Sequence, residues 1–350
     1  MLIETEGKLS MTLTRKERVN NSLNHKESDF IPYHADLTMQ EGARLAEYTG
    51  TPDFLADKGL HMHYTQYWGW PTEKIKSSEH FIDEFGVTWN RSGVDKDIGV
   101  IKNPIISEPD IKLWRNPVLD EKRLRADFEE IIRTKEDKFV FPGIGFSMFE
   151  RLWSLCGMED ALVNMIVEPE FTHGLLDTIC EYNLHIIDIA NEYPFDGFYF
   201  GDDWGQQKGL IMGPANWRKF IKPRMKRMYE RAKKDGKHIL QHSCGDISEI
   251  FPDLIDIGLN CYQTFQPEIY DIEAVKKEFG NDLSFWGGIS TQQLLPYAAP
   301  DKIKSEIARI MRIMGRNGGY IAAPTHAVPG DVPPENIIAM LDVFRNQEKL

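Results

Sequence analysis

The sequence predicts an α/β fold, a (β/α)8 TIM barrel with an N-terminal helical segment and a hairpin-rich insertion in its first third. From residue 139 onward, short apolar runs alternate with amphipathic helical patterns, and this rhythm is typical of βαβ units around a parallel sheet. No GxGxxG motif opens a helix after any run, which removes the usual reason to prefer an open doubly wound sheet. The 350 residues suit one barrel, so we predict a single domain over 1–350.

The N-terminal part predicts a helix, a strand and a second helix. Thr14 followed by Glu17 forms a capping box, which indicates a short helix over 12–25. An extended run follows at 30–34, and the next helical pattern covers 39–48.

The stretch of about 60–120 is the least regular part of the chain. Its runs at 61–70, 81–91 and 98–102 alternate as hairpin strands do. We therefore predict an insertion that covers the barrel mouth, with one poorly defined barrel strand elsewhere in the first third.

The remaining elements follow in regular order. The predicted strands are 139–144, 195–201, 238–242, 260–265, 283–287 and 319–324. The predicted helices are 120–136, 162–191, 214–235, 247–258, 272–279 and 301–317. Together with the run at 30–34 and the poorly defined strand, these runs make eight strands.

Composition favours a cytoplasmic enzyme. The net charge of −13 repels nucleic acid and anionic membranes, and no apolar stretch is long enough to span a bilayer. Four cysteines and no secretory signal at the start argue for a reducing compartment without disulfides. Residues 1–11 carry no pattern, and we expect a disordered leader there.

The strongest candidate site follows the predicted strand 238–242. In an extended chain His242 and Cys244 point the same way, and together they supply half of a zinc site. A buried histidine beside an inert cysteine is the alternative. His326 follows the last predicted strand, and active-site groups of such barrels sit beyond the strands' C-terminal ends.

Acidic and basic side chains follow two other strands. Asp202 and Asp203 are candidates for a general base, a metal ligand or a partner of an imidazole, with a turn or cap as the alternative reading, chiefly for Asp202. Glu150 is a candidate catalytic acid and Arg151 a candidate substrate anchor. An ion pair at a helix start is the alternative for this pair.

Four further residues are candidates for substrate binding. Phe146 and Gln266 follow predicted strands, and Trp204 offers an aromatic face for a flat ligand. Gly288 suggests backbone brought close to a ligand, although glycines at a strand end also make turns.

The ordered series of motifs resembles the uroporphyrinogen decarboxylase-like superfamily from residue 14 to residue 344. The resemblance is carried by TRKERVNNSLNHKESDFIP, FERLWSLCGMEDALVNMIVEPEF, GDDWGQQKGLIMGPANWRKFIKPRMKR, HSCGDISEIFPDLIDIGLN, FWGGIST and GGYIAAPTHAVPGDVPPENI. This superfamily includes corrinoid-dependent methyltransferases, and its catalytic barrel is similar to that of cobalamin-independent methionine synthase.

The resemblance points to the methyltransferase branch. True decarboxylases carry an arginine-rich RQAGRY-type segment in the first barrel loop, whereas HADLTMQEGARLAEYTG has a single arginine, Arg44. In the methyltransferase branch the third zinc ligand is a cysteine nine residues before a glutamate. Here Glu335 places His326 at that position, a position that is also histidine in the metal-free decarboxylases.

The resemblance therefore implies a zinc-dependent methyltransferase. Zinc would be held by His242, Cys244 and His326, with methyl transfer between a small ether, thiol or amine and a corrinoid on a partner protein, O-demethylation being one such reaction. Relatives with a carboxylate ligand after the sixth strand have glutamate where this chain has Phe265 and Gln266. The alternatives are a metal-free lyase acting on a carboxylated ring, and a non-catalytic cofactor-binding barrel. For the assembly of this chain we consider a homodimer.

Overall fold

The computed structural model describes residues 13–77, 80–92 and 99–347, and the expected leader at 1–11 lies outside them. The described strands are β1 Met62–Tyr67, β2 Pro71–Ser77, β3 His80–Asp83, β4 Thr88–Asn90, β5 Val100–Ile101, β6 Phe139–Ile144, β7 Gly197–Gly201, β8 Gly205–Gln206, β9 Gly209–Leu210, β10 His238–His242, β11 Cys261–Phe265, β12 Ser284–Ile289 and β13 Tyr320–Pro324. Seven of them form one parallel sheet in the order β1-β6-β7-β10-β11-β12-β13.

The segment at 32–34 closes this sheet into a barrel. The backbone N–H of His34 donates to the carbonyl of Ala322 in β13, and the Tyr33 carbonyl accepts from the N–H of His61, just before β1. The predicted strand at 30–34 is therefore reduced to a single bridge at Tyr33, but it occupies the eighth position of the ring. The predicted barrel is confirmed.

The helices surround the sheet. They are α1 Arg15–Leu23, α2 Met39–Thr49, α3 Glu121–Thr134, α4 Phe149–Cys156, α5 Met158–Val167, α6 Pro169–Ala190, α7 Gly213–Asn216, α8 Lys222–Ala232, α9 Phe251–Asp256, α10 Ile272–Phe279, α11 Leu294–Tyr297, α12 Pro300–Met314 and α13 Pro334–Arg345. Among the ranges described above, no helix is both long and apolar enough to cross a membrane.

Burial explains why the strands read as continuous apolar runs. Every residue of β6, β7 and β11 is buried, as expected for parallel strands covered on both faces. Inside the barrel a small core joins Phe139, Phe141 and Trp286 to Val19 and Leu23 of α1. Helix α1 thus packs against the interior of the ring through its buried face, and the predicted capping box of Thr14 and Glu17 is present.

The runs predicted as one insertion in the first third of the chain belong to two different sheets. The run at 61–70 was assigned to the insertion, and this is wrong: β1 pairs in parallel with β6, from Met62 opposite Phe139 to Tyr67 opposite Ile144. Its side chains alternate, because Tyr64 and Gln66 line the cavity at the barrel mouth, whereas His63 contacts Thr134 of α3. The strands β2, β3, β4 and β5 form a separate four-stranded antiparallel sheet.

Helix boundaries differ from prediction at two places. The helix predicted over 162–191 is divided between α5 and α6, because the residue before Pro169 is pushed out of the helical region and Glu168 adopts φ −130°. The helix predicted over 214–235 contains a π-helical turn at Trp217–Ile221 before α8. Neither change moves the strand ends that carry the candidate site.

Candidate active site

A cavity of about 250 Å³ opens at the C-terminal ends of the barrel strands. Its described lining brings together residues from eight parts of the chain. The lining consists of Asp36, Tyr64, Gln66, Trp68, Gly145, Phe146, Glu150, Tyr199, Gly201, Asp203, His242, Gln263, Trp286, His326 and Ala327. Its volume lies just below the range of roughly 300–1,000 Å³ that is usual for small-molecule pockets, so it suits a compact substrate.

Three predicted metal ligands meet in this region. One ligand atom each from His242, Cys244 and His326 lies within 4.8 Å of the others. Nε2 of His242 and Sγ of Cys244 are 3.7 Å apart. Ligand atoms around tetrahedral zinc are roughly 3.3–3.7 Å apart, given Zn–N near 2.1 Å and Zn–S near 2.3 Å. The donor set and the distance between His242 and Cys244 fit zinc, whereas the 4.8 Å bound that covers His326 is wider than this range.

Gln263 fixes the orientation of His242. Its Oε1 atom accepts from Nδ1 of His242 and from the hydroxyl of Tyr199, the latter at 3.0 Å. With Nδ1 donating to this amide, Nε2 is the nitrogen that faces Cys244. Burial opposes a charge on His242, but Tyr199, Cys244 and Asp203 outweigh it and raise the pKa of His242 well above its ordinary value, so a metal would have to displace the Nε2 proton. Gln263 lies within β11 rather than after it, and the sequence analysis did not assign it a role.

Asp203 supports the same centre from the loop after β7. Its Oδ1 accepts the backbone N–H of Cys244 at 2.7 Å and lies 3.3 Å from Nε2 of His242. Burial opposes ionisation, but His242 and the Cys244 N–H outweigh it and lower the pKa of Asp203 to about 2. Burial also raises the pKa of the Cys244 thiol, so a metal would have to displace its proton.

Glu150 faces the cavity from the start of α4. Burial, reinforced by the negative charges of Asp203 and Asp202, raises the pKa of Glu150 well above its ordinary value. A carboxyl group held protonated in this way is suited to donate a proton.

The structure overturns the assignment of Asp202 as a catalytic residue. Its carboxylate accepts the backbone N–H groups of Met148, Phe149 and Glu150, and thereby caps α4 from another loop. It also accepts from the indole N–H of Trp204. Asp202 is fully buried and does not line the cavity, so the cap reading is correct.

Trp204 and Arg151, two of the predicted substrate-binding residues, lie outside the described lining of the cavity. Trp204 is fully buried, with its ring 5.3 Å from that of Trp217. The guanidinium of Arg151 pairs with Asp83 at 3.2 Å, donates to the carbonyl of Trp68 at 2.8 Å and lies over the ring of Phe85. Its charge therefore joins the antiparallel sheet to the barrel instead of reaching a ligand.

The remaining three predicted substrate-binding residues have different surroundings in the structure. Phe146 lines the cavity, and its predicted contact with substrate stays a prediction. The Gln266 side chain accepts the N–H of Gly245 at 3.1 Å and so holds the loop after Cys244. Gly288 lies inside β12, and a Cβ there would come 2.9 Å from the hydroxyl of Tyr320, so close packing rather than a ligand explains this glycine.

Asp36 is a cavity residue that the sequence analysis missed. Its Oδ2 accepts the hydroxyl of Tyr64 at 2.7 Å, and its Oδ1 lies 3.2 Å from Nε2 of His34. Burial would raise the pKa of Asp36, but these neighbours outweigh it and lower the pKa. Asp36 follows the run at 30–34, so inspection of that strand end could have found it.

Comparisons with known proteins identify the family of this chain. A family model described as uroporphyrinogen decarboxylase (URO-D) matches residues 85–347. The chain belongs to the uroporphyrinogen decarboxylase family. The predicted membership is confirmed, and this is a family of enzymes.

Relatives within the uroporphyrinogen decarboxylase family carry two kinds of name. Uroporphyrinogen decarboxylase from Chlorobaculum parvum is 26% identical over 255 residues, which cover 65% of this chain and 66% of that protein. Methylated-thiol–coenzyme M methyltransferase from Methanosarcina mazei is 21% identical over 149 residues, which cover 43% of this chain and 38% of that protein. The chain thus spans less than two thirds of the length of these relatives.

A solved structure titled "methyltransferase from Methanosarcina mazei" has the same fold. It superposes with a TM-score of 0.73 at 18% identity and covers 97% of this chain and all of that chain. This match in fold also takes in most of the chain before residue 85, where the family model begins.

Proposed function

We propose that this protein is a zinc-dependent methyltransferase that moves a methyl group between a small ether, thiol or amine and a corrinoid on a partner protein. The observation that carries the proposal is the convergence of His242, Cys244 and His326 at the edge of a cavity in the barrel mouth. The methyltransferases of Methanosarcina mazei among the similar proteins support it.

The donor set suits the activation of a weakly polarised oxygen. Zinc, when bound, supplies a Lewis acid that polarises the methyl-bearing heteroatom. One thiolate and two neutral imidazoles leave a divalent ion with net positive charge, more than two thiolates would leave. We therefore place an ether ahead of a thiol among the three substrate classes.

The chain's own residues would handle the proton. When the methyl group departs without its bonding electrons, the heteroatom keeps that electron pair and requires a proton unless it was positively charged. Glu150 borders the cavity and holds a proton because of its burial and its acidic neighbours. We assign Glu150 as this proton donor, and Asp203 as the group that orients the ligand loop through the Cys244 N–H.

The alternative is a metal-free decarboxylase or other lyase acting on a carboxylated ring. The decarboxylases among the relatives favour it. The contacts of the two candidate anion anchors oppose it, because Arg151 is paired with Asp83, and Arg44 donates to Glu41 and to the carbonyl of Gly330.

Metal analysis of the purified protein tests the proposal. We expect about one zinc per chain, and its loss in Cys244→Ala. Cys156→Ala is the matched control, because Cys156 is buried at the end of α4 and belongs to no cluster of ligands in the described chain. Wild-type protein without stoichiometric metal would refute zinc dependence. Consumption of a methyl donor with reduced corrinoid then separates an enzyme from a binding protein.

A further inference from the structure

We propose that the cavity recognises an ammonium group on the methyl donor, held between the carboxylate of Asp36 and the aromatic rings of Tyr64, Tyr199 and Trp286. The inference rests on the proposed function only in treating the ligand as the methyl donor. It narrows the substrate to a compact cationic molecule whose methyl-bearing atom faces the metal ligands.

Asp36 offers an anchored carboxylate to the cavity. Tyr64 and His34 each contact one of its oxygens, at 2.7 and 3.2 Å. A carboxylate has about four acceptor positions, so these contacts fix its orientation and leave capacity for a ligand. The side chain keeps 40% of its surface exposed, whereas His34 keeps 6%. The exposed part borders the cavity.

Three aromatic rings lie together beside this carboxylate. The ring centres of Tyr199 and Trp286 are 5.6 Å apart, and that of Tyr64 lies 6.2 Å from Tyr199 and 6.4 Å from Trp286. All three residues line the cavity. Ammonium groups bind over such ring faces through the ring quadrupole, most strongly where water is excluded. Carboxylate and rings together provide what a cation requires.

The charge of the cavity lining favours a cation over an anion. Its described residues include the carboxyl groups of Asp36, Glu150 and Asp203, and no lysine or arginine. With a divalent metal bound, the thiolate of Cys244 and the carboxylates of Asp36 and Asp203 still outweigh the ion's charge. A substrate carboxylate would face this surplus without a partner.

The carboxylate of Asp36 and the proposed ligand His242 lie across the cavity from each other, whereas the proposed ligand His326 follows β13, the strand beside the Asp36 segment. Asp36 follows the segment that closes the ring beside β13, and His242 ends β10, four positions away in a ring of eight. These two residues therefore lie on opposite walls. A cavity of about 250 Å³ then requires only a short link between the ammonium group and the methyl-bearing atom.

Calorimetric titration of the purified holoprotein with choline and with 3,3-dimethyl-1-butanol, its neutral isostere, tests the inference. At matched ionic strength we expect choline to bind at least about tenfold more tightly. Asp36→Asn should remove most of this preference and leave binding of the alcohol unchanged. Asp53→Asn, an exposed aspartate outside the cavity lining, should retain it. Equal affinities in the wild type, or an unchanged preference in Asp36→Asn, would overturn the inference.

Tyr64→Phe provides a second variant that keeps the ring and removes the hydroxyl from Asp36. We expect it to weaken choline binding less than Asp36→Asn does, and a larger loss would contradict the assignment of the carboxylate as the main contact. Zinc content, measured on the same samples, separates the two proposals. Zinc-loaded protein without cation preference would refute only the ammonium site. Cation preference in protein without zinc would refute only the metal-dependent function.

Discussion

Oε1 of Gln263 accepts the Nδ1 proton of His242, and the opposite nitrogen of the same imidazole lies 3.7 Å from Sγ of Cys244. The amide thus sets the tautomer that a metal needs, from the middle of a neighbouring strand. Tyr199 donates to the same amide oxygen at 3.0 Å and holds the amide in turn. The orientation of the predicted ligand His242 therefore depends on a residue that contributes no ligand atom itself.

Gln263→Leu should weaken zinc binding without removing a ligand. Loss of such a hydrogen-bond partner typically costs about 10–100-fold in metal affinity. Competition with a chromophoric chelator measures the change. Gln66→Leu is the control, because Gln66 lines the same cavity and has no hydrogen bond to a proposed ligand among the described contacts. Equal affinity in wild type and Gln263→Leu would show that the tautomer does not need this amide.

Asp202→Asn should destabilise the protein by about 2–4 kcal/mol, because an amide nitrogen would replace one acceptor among buried donors. The donors are three N–H groups at the start of α4 and the indole of Trp204. Denaturant unfolding measures the loss. Asp120→Asn is the control, since Asp120 caps α3 at an exposed position where asparagine caps equally well. A stable Asp202→Asn variant with lost activity would restore a catalytic role.

The pair Asp202 and Asp203 shows how far sequence reasoning reaches. The strand end was predicted, and alternation places the two carboxylates on different sides, but nothing local tells which side faces the cavity. Contacts more than 50 residues away decide this, through the N–H groups that precede and begin α4. The pair of His242 and Cys244 was recognisable in the sequence because both predicted ligands lie on one short segment.

The roles of Asp36 and Arg151 could not be predicted from the sequence, for related reasons. Asp36 follows a segment with a single bridge, so its position at the barrel mouth depends on β13 and on the residue before β1. The partner of Arg151, Asp83, lies 68 residues earlier in the sequence, in the antiparallel sheet. No local pattern shows this pair, so Arg151 was expected to bind a ligand. Sequence patterns place strand ends well, but they do not pair charges across the chain.

Arg151→Met should loosen the antiparallel sheet rather than alter the affinity for anions. The variant leaves the buried carboxylate of Asp83 without its cation, a change that costs about 3–5 kcal/mol. Hydrogen exchange should rise in β3 and β4 before the barrel strands change. Arg125→Met removes a solvent-screened surface pair with Glu192 and should leave exchange in the sheet and in the barrel unchanged. Uniform exchange across the sheet and the barrel would argue against the joining role.

Glu150→Gln should reduce methyl transfer from an ether by about 10²–10⁴-fold, because the departing oxygen loses its proton donor. Zinc content should not change. A quaternary ammonium donor leaves as a neutral amine and needs no proton, so its transfer rate should fall much less. Initial rates with the two donor classes measure this difference. An equal loss for both donors would indicate that Glu150 shapes the cavity rather than supplying a proton.

Acid should destabilise the fold through His61. Burial lowers the pKa of His61 to about 3, and its Nε2 has no partner among the described residues. The unfolded chain protonates His61 near pH 6.5, whereas the folded chain does so only near pH 3. Above pH 6.5 His61 is neutral in both states, so its titration does not lower the free energy of unfolding there. Below pH 6.5 this free energy falls by about 1.4 kcal/mol per pH unit as the pH decreases toward 3. His61→Asn should flatten the dependence of unfolding free energy on pH between 6 and 4, measured with urea. Parallel curves for wild type and variant would show that His61 does not carry the proton linkage.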